Sequence, residues 1–443
     1  MFTLLKSETF RQEIKKSRFL AVAGPVSDEA DAKAFIAANS DPAANHNCWA
    51  WKIGQQYRFS DDGEPSSTAG KPILQAIEGQ SLDGVAVVVV GPGIRGSAGV
   101  ASLARRGRRV IGLDRFDDGH ARGSSHGRTR MIRRAYPNPV WNGLVDTAYG
   151  AWAALERETG RKLVYRTGGM YAHAGESQLQ GPDCELLDDP LRMQKRMPGF
   201  AVPEGYRAVF DPHAGIIEAD RALRSLREVA TKHGAELRFG ETLRGWDAHG
   251  DGVRVSTSAG IIDAGRLVIA GGPFMSSLVP QLAPLLEVWR ILTLTVPAGQ
   301  PIGGPPSLGA FSVDRPEGLV FGIPDVDGNG TKIGVDPGLV WDPEEAPAPP
   351  TPEEVGALQA LLAEYVPGID TAPVEAAACL YTMTEDRRFI IGELADQPGV
   401  IIASACSGHG FKFGPAIGDA LADLSDGVPR DDLAFVSTAR RGL

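Results

Sequence analysis

Arg130 and Arg133 stand three residues apart in the run Gly123-Ser-Ser-His-Gly-Arg-Thr129-Arg130-Met-Ile-Arg133. On a helix or tight turn this spacing lets both guanidiniums face one way, and paired guanidiniums among Gly, Ser and Thr suit recognition of an anion. The other reading is a solvated basic turn, since Arg122, Arg128 and Arg134 are also there. Lys332 lies in Thr331-Lys-Ile-Gly-Val335, an alternating apolar strand. Turned inward, its ammonium needs a partner or a role; fixed beside a redox group it would stabilise superoxide as electrons pass to O2. Turned outward, it is an ordinary strand lysine. Cys379, between Ala376-Ala-Ala378 and Leu-Tyr-Thr382, reads by itself as a buried apolar thiol. His126 and His409 each adjoin glycine and read as loop or cofactor contacts rather than acid/base catalysts. No His/Cys/carboxylate cluster suggests a metal, and there is no nucleophile elbow.

The element that organises these residues is the run Val85-Ala-Val-Val-Val-Val90, Gly91-Pro-Gly93-Ile-Arg-Gly96 and then Asp114. It predicts strand, glycine turn, helix over 97–106 ended by Gly107, and a second strand Arg109–Leu113 with an acidic end. Gly91 permits the turn, Gly93 lets the backbone approach a pyrophosphate, and Gly96 lets helix and strand pack closely. Asp114, 18 residues after Gly96, can accept hydrogen bonds from an adenosine ribose. The pattern predicts a dinucleotide site. Arg266–Ala270 followed by Gly271-Gly272 predicts a second backbone approach to the same ligand. Helices are expected over Pro139–Thr159, capped by Gly160, and Ala219–His233, ended by Gly234. Glu236–Phe239 and Val253–Thr257 read as strands; Gly303–Pro306 and Trp341–Pro352 read as loops. Glu176–Arg196 is polar and carries no clear period.

Four blocks then occur in one order: Gly123–Arg133; Phe321-Gly-Ile-Pro324 with Thr331-Lys332-Ile-Gly334; Cys379-Leu-Tyr381-Thr382; and Ser407-Gly-His409-Gly-Phe-Lys412-Phe. On these, residues 85–443 resemble the monomeric sarcosine oxidase and N-methyltryptophan oxidase family of D-amino-acid-oxidase-like flavoproteins. The resemblance implies a Rossmann-type FAD-binding domain interwoven with an antiparallel-sheet substrate domain, and oxidation of the C–N bond of a secondary amino acid with O2 reduced to H2O2. By the same resemblance Arg133 and Lys412 clamp the substrate carboxylate, Arg130 raises the positive potential at the flavin ring, Lys332 activates oxygen, and Cys379 carries the flavin through a thioether. Gly408, Gly410 and Lys412 would serve the pyrimidine edge, with Ser125, His126, Thr129 and Gly272 as further cofactor contacts. Phe321, Asp336 and Tyr381 would face the substrate. Two departures stand out: the family usually has Tyr where Phe321 stands and His where Asp336 stands, so the substrate need not be sarcosine itself.

Residues 1–84 differ. Phe19–Ala23 reads as a strand, Glu29–Ala38 as a helix, Trp49–Ile53 and Gln56–Phe59 as a hairpin across Gly54, Asp61–Pro65 as a loop and Lys71–Ile77 as helical. Ser17-Arg18-Phe19-Leu20, His46-Asn-Cys48-Trp-Ala-Trp51 and Asp61-Asp-Gly-Glu-Pro65 through Lys71-Pro72 resemble the IMPACT family of translation-regulator proteins, with Ser67 where that family usually has Gly. The resemblance is truncated: its last strand, 85–90, also opens the dinucleotide fingerprint. The expected organisation is α/β and α+β: a small α+β unit at 1–84; an FAD domain from 85–165, 205–285 and 375–443; and a substrate domain from 166–204 and 286–374.

Composition narrows the function classes. The chain has 443 residues, 43% hydrophobic and 23% charged, ordinary for a globular protein of two or three domains. A net charge of −10 argues against nonspecific binding of nucleic acid or anionic membrane. The first 84 residues, with 9 Lys+Arg against 11 Asp+Glu, are not basic either. Four widely spaced cysteines give no disulfide framework and fit a reducing cytoplasm. Neither a membrane span nor a signal-peptide core is expected. The partners expected are a small amino acid and O2. The competing reading is a regulatory, ribosome-associated protein acting through residues 1–84 with a degenerate flavin fold.

Overall fold

The computed structural model describes residues 8–14, 17–26, 28–42, 44, 46–53, 56–63, 69, 71, 73, 87–297, 308–372, 374–404 and 406–443. Most of Lys71–Ile77, the loop beyond Gly63, Gly54, Val85, Ala86 and Gly303–Pro306 lie outside them. The chain divides into two compact units, Met1–Val87 with Arg106–Arg109, and Val88–Arg105 with Val110–Leu443.

In the first unit Glu8–Ile14 pairs antiparallel with Ser17–Ala23, and Trp49–Ile53 with Gln56–Ser60. The expected hairpin forms. The Glu8–Ile14 strand is additional: Glu8, Arg11, Gln12 and Glu13 leave it no apolar run to mark it as a strand. The helix Glu29–Asn39 starts where Asp28 Oδ1 accepts from Asp31 N–H at 2.8 Å, an aspartate N-cap.

The second unit is built on two large sheets. One has six strands in the order Glu236–Phe239, Val110–Asp114, Val87–Val90, Arg266–Ile269, Gln397–Ser404 and Ile390–Leu394. Val88 and Val89 are fully buried, because helices cover a sheet of this kind and leave no strand face wet. The helix Ile94–Arg105 packs on Gly414–Ser425, where a Cβ on Gly418 would lie 2.5 Å from the Ala98 carbonyl carbon. Only glycine permits that approach. The helix begins three residues earlier than the glycine spacing predicts, because Ser97 N–H already bonds Gly93 C=O at 2.8 Å.

The other sheet has Glu185–Leu187, Arg207–Asp211, Gly169–His173, Ala310–Arg315, Gly318–Ile323, Thr331–Asp336, Glu287–Val296 and Leu339–Val340 in order, with Glu375–Met383 also paired to Glu287–Val296. It is antiparallel except for the parallel pair Ala310–Arg315 with Gly169–His173. Arg207–Asp211 and Glu375–Met383, expected with the nucleotide segments, pair into this sheet. Its core joins Met170, Phe311 and Ile333 to Leu358 and Leu362 of the helix Pro352–Tyr365. That helix opens with a capping box between Thr351 and Glu354. The segment without a clear period, 176–196, holds the short strand Glu185–Leu187 and the helix Pro190–Arg196.

Candidate active site

The glycine turn is built as its sequence demands. Gly91 has φ +80° and donates to Leu113 C=O at 2.8 Å. A Cβ there would lie 2.8 Å from Ala270 O, and one on Gly96 would lie 2.3 Å from Gly91 O. Both positions therefore exclude any other residue, while Gly93 leaves the turn open to a ligand. Ser125 Oγ accepts from Ile94 N–H at 3.0 Å, tying the Gly123–Arg133 segment to the helix start. Arg227, from the helix Ala219–Lys232, donates to Pro92 C=O at 2.8 Å and braces the turn from behind.

This turn opens on a cavity of about 750 Å³. Gly91, Gly93, Asp114, Ser125, His126 and Gly272 line it, as do Arg130, Arg133, Phe321, Asp336, Tyr381, Gly408, Gly410 and Lys412. Gly96, Thr129, Lys332 and Cys379 lie off its wall. Gly96 packs against Gly91 instead. Thr129 meets Lys332 through its backbone: Lys332 Nζ donates to Thr129 C=O at 3.0 Å. Cys379 is buried in the Glu375–Met383 strand, and burial pushes its thiol pKa up. No motif marks Arg227, Tyr136 or Arg387, which also line the cavity. They come from a helix interior, the chain after the arginine block, and a turn.

The cations differ in how they are held. Arg130 is locked by carbonyls, donating to Thr129 O and Ser124 O at 2.8 Å and His126 O at 2.5 Å. Arg133 lies over the Tyr136 and Tyr171 rings, 5.3 and 5.1 Å from their centroids. Lys412 Nζ donates to His409 O at 2.8 Å; burial, then the charge of Arg133, depresses its pKa well below the lysine range. Burial, then Arg130, draws Lys332 down to about 7. Burial and Arg130 also bring His126 to about 4, so it is neutral at pH 7. Positive charge thus converges on one cavity and remains under-compensated, which is the condition for binding an anion.

Residues 86–424 match the family model described as FAD dependent oxidoreductase. The chain belongs to the FAD-dependent oxidoreductase family. Residues 15–91 match the Impact N-terminal domain. Among relatives, the monomeric sarcosine oxidase of a Bacillus species is 32% identical over 375 residues, covering 81% of this chain and 96% of the relative. The N-methyl-L-tryptophan oxidase of Yersinia pestis is 28% identical, covering 80% and 98%. A mutant of NikD, described as an unusual amino acid oxidase essential for nikkomycin biosynthesis, superposes with a TM-score of 0.69 at 26% identity, covering 80% of this chain and 97% of NikD.

The cavity fits FAD on its own evidence. The cradle at Gly91–Gly96 admits a backbone-hugging pyrophosphate at a helix N-terminus. Asp114 sits at the end of its strand, with Oδ1 accepting from Phe116 N–H at 3.0 Å. His126 Nε2, on the cavity wall, is buried without a hydrogen-bond partner among the described residues, an arrangement a polar ligand would relieve.

Proposed function

We propose that the chain is an FAD-dependent amine oxidase that oxidises the C–N bond of a secondary amino acid, N-methyl or cyclic, and reduces O2 to H2O2. The observation that carries this reading is the meeting of Arg133 and Lys412 with the glycine cradle in one cavity. The names of its relatives, sarcosine oxidase, N-methyl-L-tryptophan oxidase and amino acid oxidase, support it.

Gly91, Gly93, Asp114, Ser125, Gly272, Gly408 and Gly410 would hold the cofactor, with a thioether from Cys379 where it is covalent. FAD, when bound, supplies the acceptor for two electrons and their passage to oxygen. Arg133 and Lys412 pair with the substrate carboxylate and fix its orientation, the step that makes the reaction effectively intramolecular. Phe321 and Tyr381 exclude water from the reacting carbon. Lys332 keeps a proton-bearing nitrogen beside the Arg130 segment, where negative charge develops on oxygen. We further assign the six-stranded sheet to the cofactor and the nine-stranded sheet to the substrate, and infer a cytoplasmic enzyme. The test is an absorbance spectrum of the purified protein, then a peroxide screen across N-methyl and cyclic amino acids. A yellow protein that makes peroxide with one of them supports the reading. A colourless protein that sediments with ribosomes supports the regulatory alternative raised by the Impact-like segment.

A further inference from the structure

Among the described residues, Asp336 is the carboxylate on the cavity wall that keeps a buried oxygen with no hydrogen bond. The residue is 6% exposed and lines the cavity. Its Oδ2 takes the Arg387 guanidinium at 3.2 Å. Its Oδ1 is buried and accepts no hydrogen bond from the described residues. Burial raises the carboxyl pKa and Arg387 only partly opposes this, so the anion is short of positive charge. Arg387 cannot make up the deficit, because its side chain is half-exposed and screened by water.

The backbone explains why the carboxylate is there. Lys332, Gly334 and Asp336 alternate along one strand and share a face. Opposite them stand Ile323, Phe321 and Leu319. A Cβ on Gly334 would lie 2.4 Å from Phe321 Cζ, so the Phe321 ring covers Gly334. Lys332 and Asp336 lie on either side of that ring. A Cβ on Gly408 would lie 3.5 Å from Asp336 Oδ2, so the carboxylate also borders the loop that carries Lys412. His409 links the two: its backbone oxygen accepts from Lys412 Nζ, and its Nε2 meets Arg387 O at 3.1 Å.

The wall therefore presents a cationic pair and, beside it, an anion with a free oxygen. An amino acid carries the complementary charges. We propose that Asp336 Oδ1 accepts the N–H of the substrate's amine nitrogen, with Arg387 holding the carboxylate in place, so that this pair selects amino acids over other carboxylates. The assignment rests on the oxidase reading for the carboxylate clamp, and deepens it by naming what holds the other end of the substrate. Asp336 is then a binding residue for the amine, and Arg387 a positioning residue that acts through it.

The test compares sarcosine with methoxyacetate, which replaces the N–H by an ether oxygen. In the holoenzyme, sarcosine affinity is read from the saturation of anaerobic flavin reduction, and methoxyacetate affinity from the change in flavin absorbance. Asp336→Asn is expected to weaken sarcosine by roughly tenfold to a hundredfold, the loss of one charge-assisted hydrogen bond, and methoxyacetate by less than about twofold. Arg387→Met, which frees the Asp336 side chain and lets burial raise its pKa further, is expected to shift the ratio of the two constants the same way by a smaller factor. A ratio that stays within about twofold of wild type in both variants overturns the proposal, as does a wild-type holoenzyme that binds methoxyacetate but not sarcosine. A loss that falls on sarcosine and spares methoxyacetate is not what general damage to the fold produces, since that would weaken both ligands alike. Absence of flavin, or of peroxide from every amine, would instead overturn the oxidase reading; the affinity ratio is then read by calorimetry on the same protein.

Discussion

Lys332→Met separates stability from chemistry at a single atom. Lys332 is 8% exposed and, among the described residues, its ammonium has one hydrogen-bond acceptor, Thr129 O at 3.0 Å. Burial, then Arg130, brings its pKa from 10.5 to about 7. A base whose pKa falls on folding leaves the folded chain with fewer protons than the unfolded one between those values. Stability therefore rises with pH from about 7 to about 10.5, and below 7 the whole cost is present. At about 1.4 kcal/mol per pH unit the difference amounts to roughly 5 kcal/mol. Methionine keeps the length and apolar volume, removes that cost, and forfeits one hydrogen bond worth about 1 kcal/mol. The flavin-free variant should thus resist urea better than wild type at pH 6 by up to about 4 kcal/mol, with the gain vanishing by pH 10. The loss should fall on one half-reaction. Removing a preorganised charge costs roughly 10²–10³ in rate, so reoxidation by O2 in stopped flow should slow by that much while anaerobic reduction by substrate is nearly unchanged. Unaltered reoxidation combined with lower stability at pH 6 would make Lys332 a structural lysine and refute the argument.

Three further outcomes are expected. After denaturation, flavin fluorescence should migrate with the polypeptide, and Cys379→Ser should release it; free FAD from the unmutated protein would remove the thioether but leave the oxidase intact. Arg133→Ala or Lys412→Ala should weaken carboxylate substrates by roughly one to two decades, from a charge-assisted bond of about 1.5–3 kcal/mol, and hardly affect matching amines without a carboxylate; equal losses on both would remove the clamp. Gly96→Ala should abolish flavin binding, because its Cβ would stand 2.3 Å from Gly91 O; a variant that is still yellow, with unchanged circular dichroism, would show that the turn can open.

Much of the candidate site was legible because its residues sit in motifs whose demands are local. Gly91 and Gly96 are required by backbone distances of under 3 Å within one turn and its neighbouring strand, so they can be read in sequence order. Arg130, Arg133 and Lys412 stand out for the same reason: charge beside glycine in short blocks. The Val87–Val90 run announces a strand buried on both faces, and the period of Ala219–Lys232 announces a helix. The Glu8–Ile14 strand was not legible, since its partner rather than its composition defines it. Nor was the entry of Arg207–Asp211 and Glu375–Met383 into the nine-stranded sheet, which depends on pairings far along the chain.

The sequence by itself determined the cofactor fingerprint, the family and the identity of the cations, because each is carried by residue types at short fixed spacings. Only the tertiary structure decided what those groups face. Thr129 and Lys332 are 203 residues apart and share a hydrogen bond. Asp336 and Arg387 are 51 apart and share an ion pair. Whether Asp336 Oδ1 meets a partner is set by strand register, by Phe321 closing over Gly334, and by the loop at Gly408. These are long-range packing relations, and no local pattern encodes which side of a strand ends in a cavity.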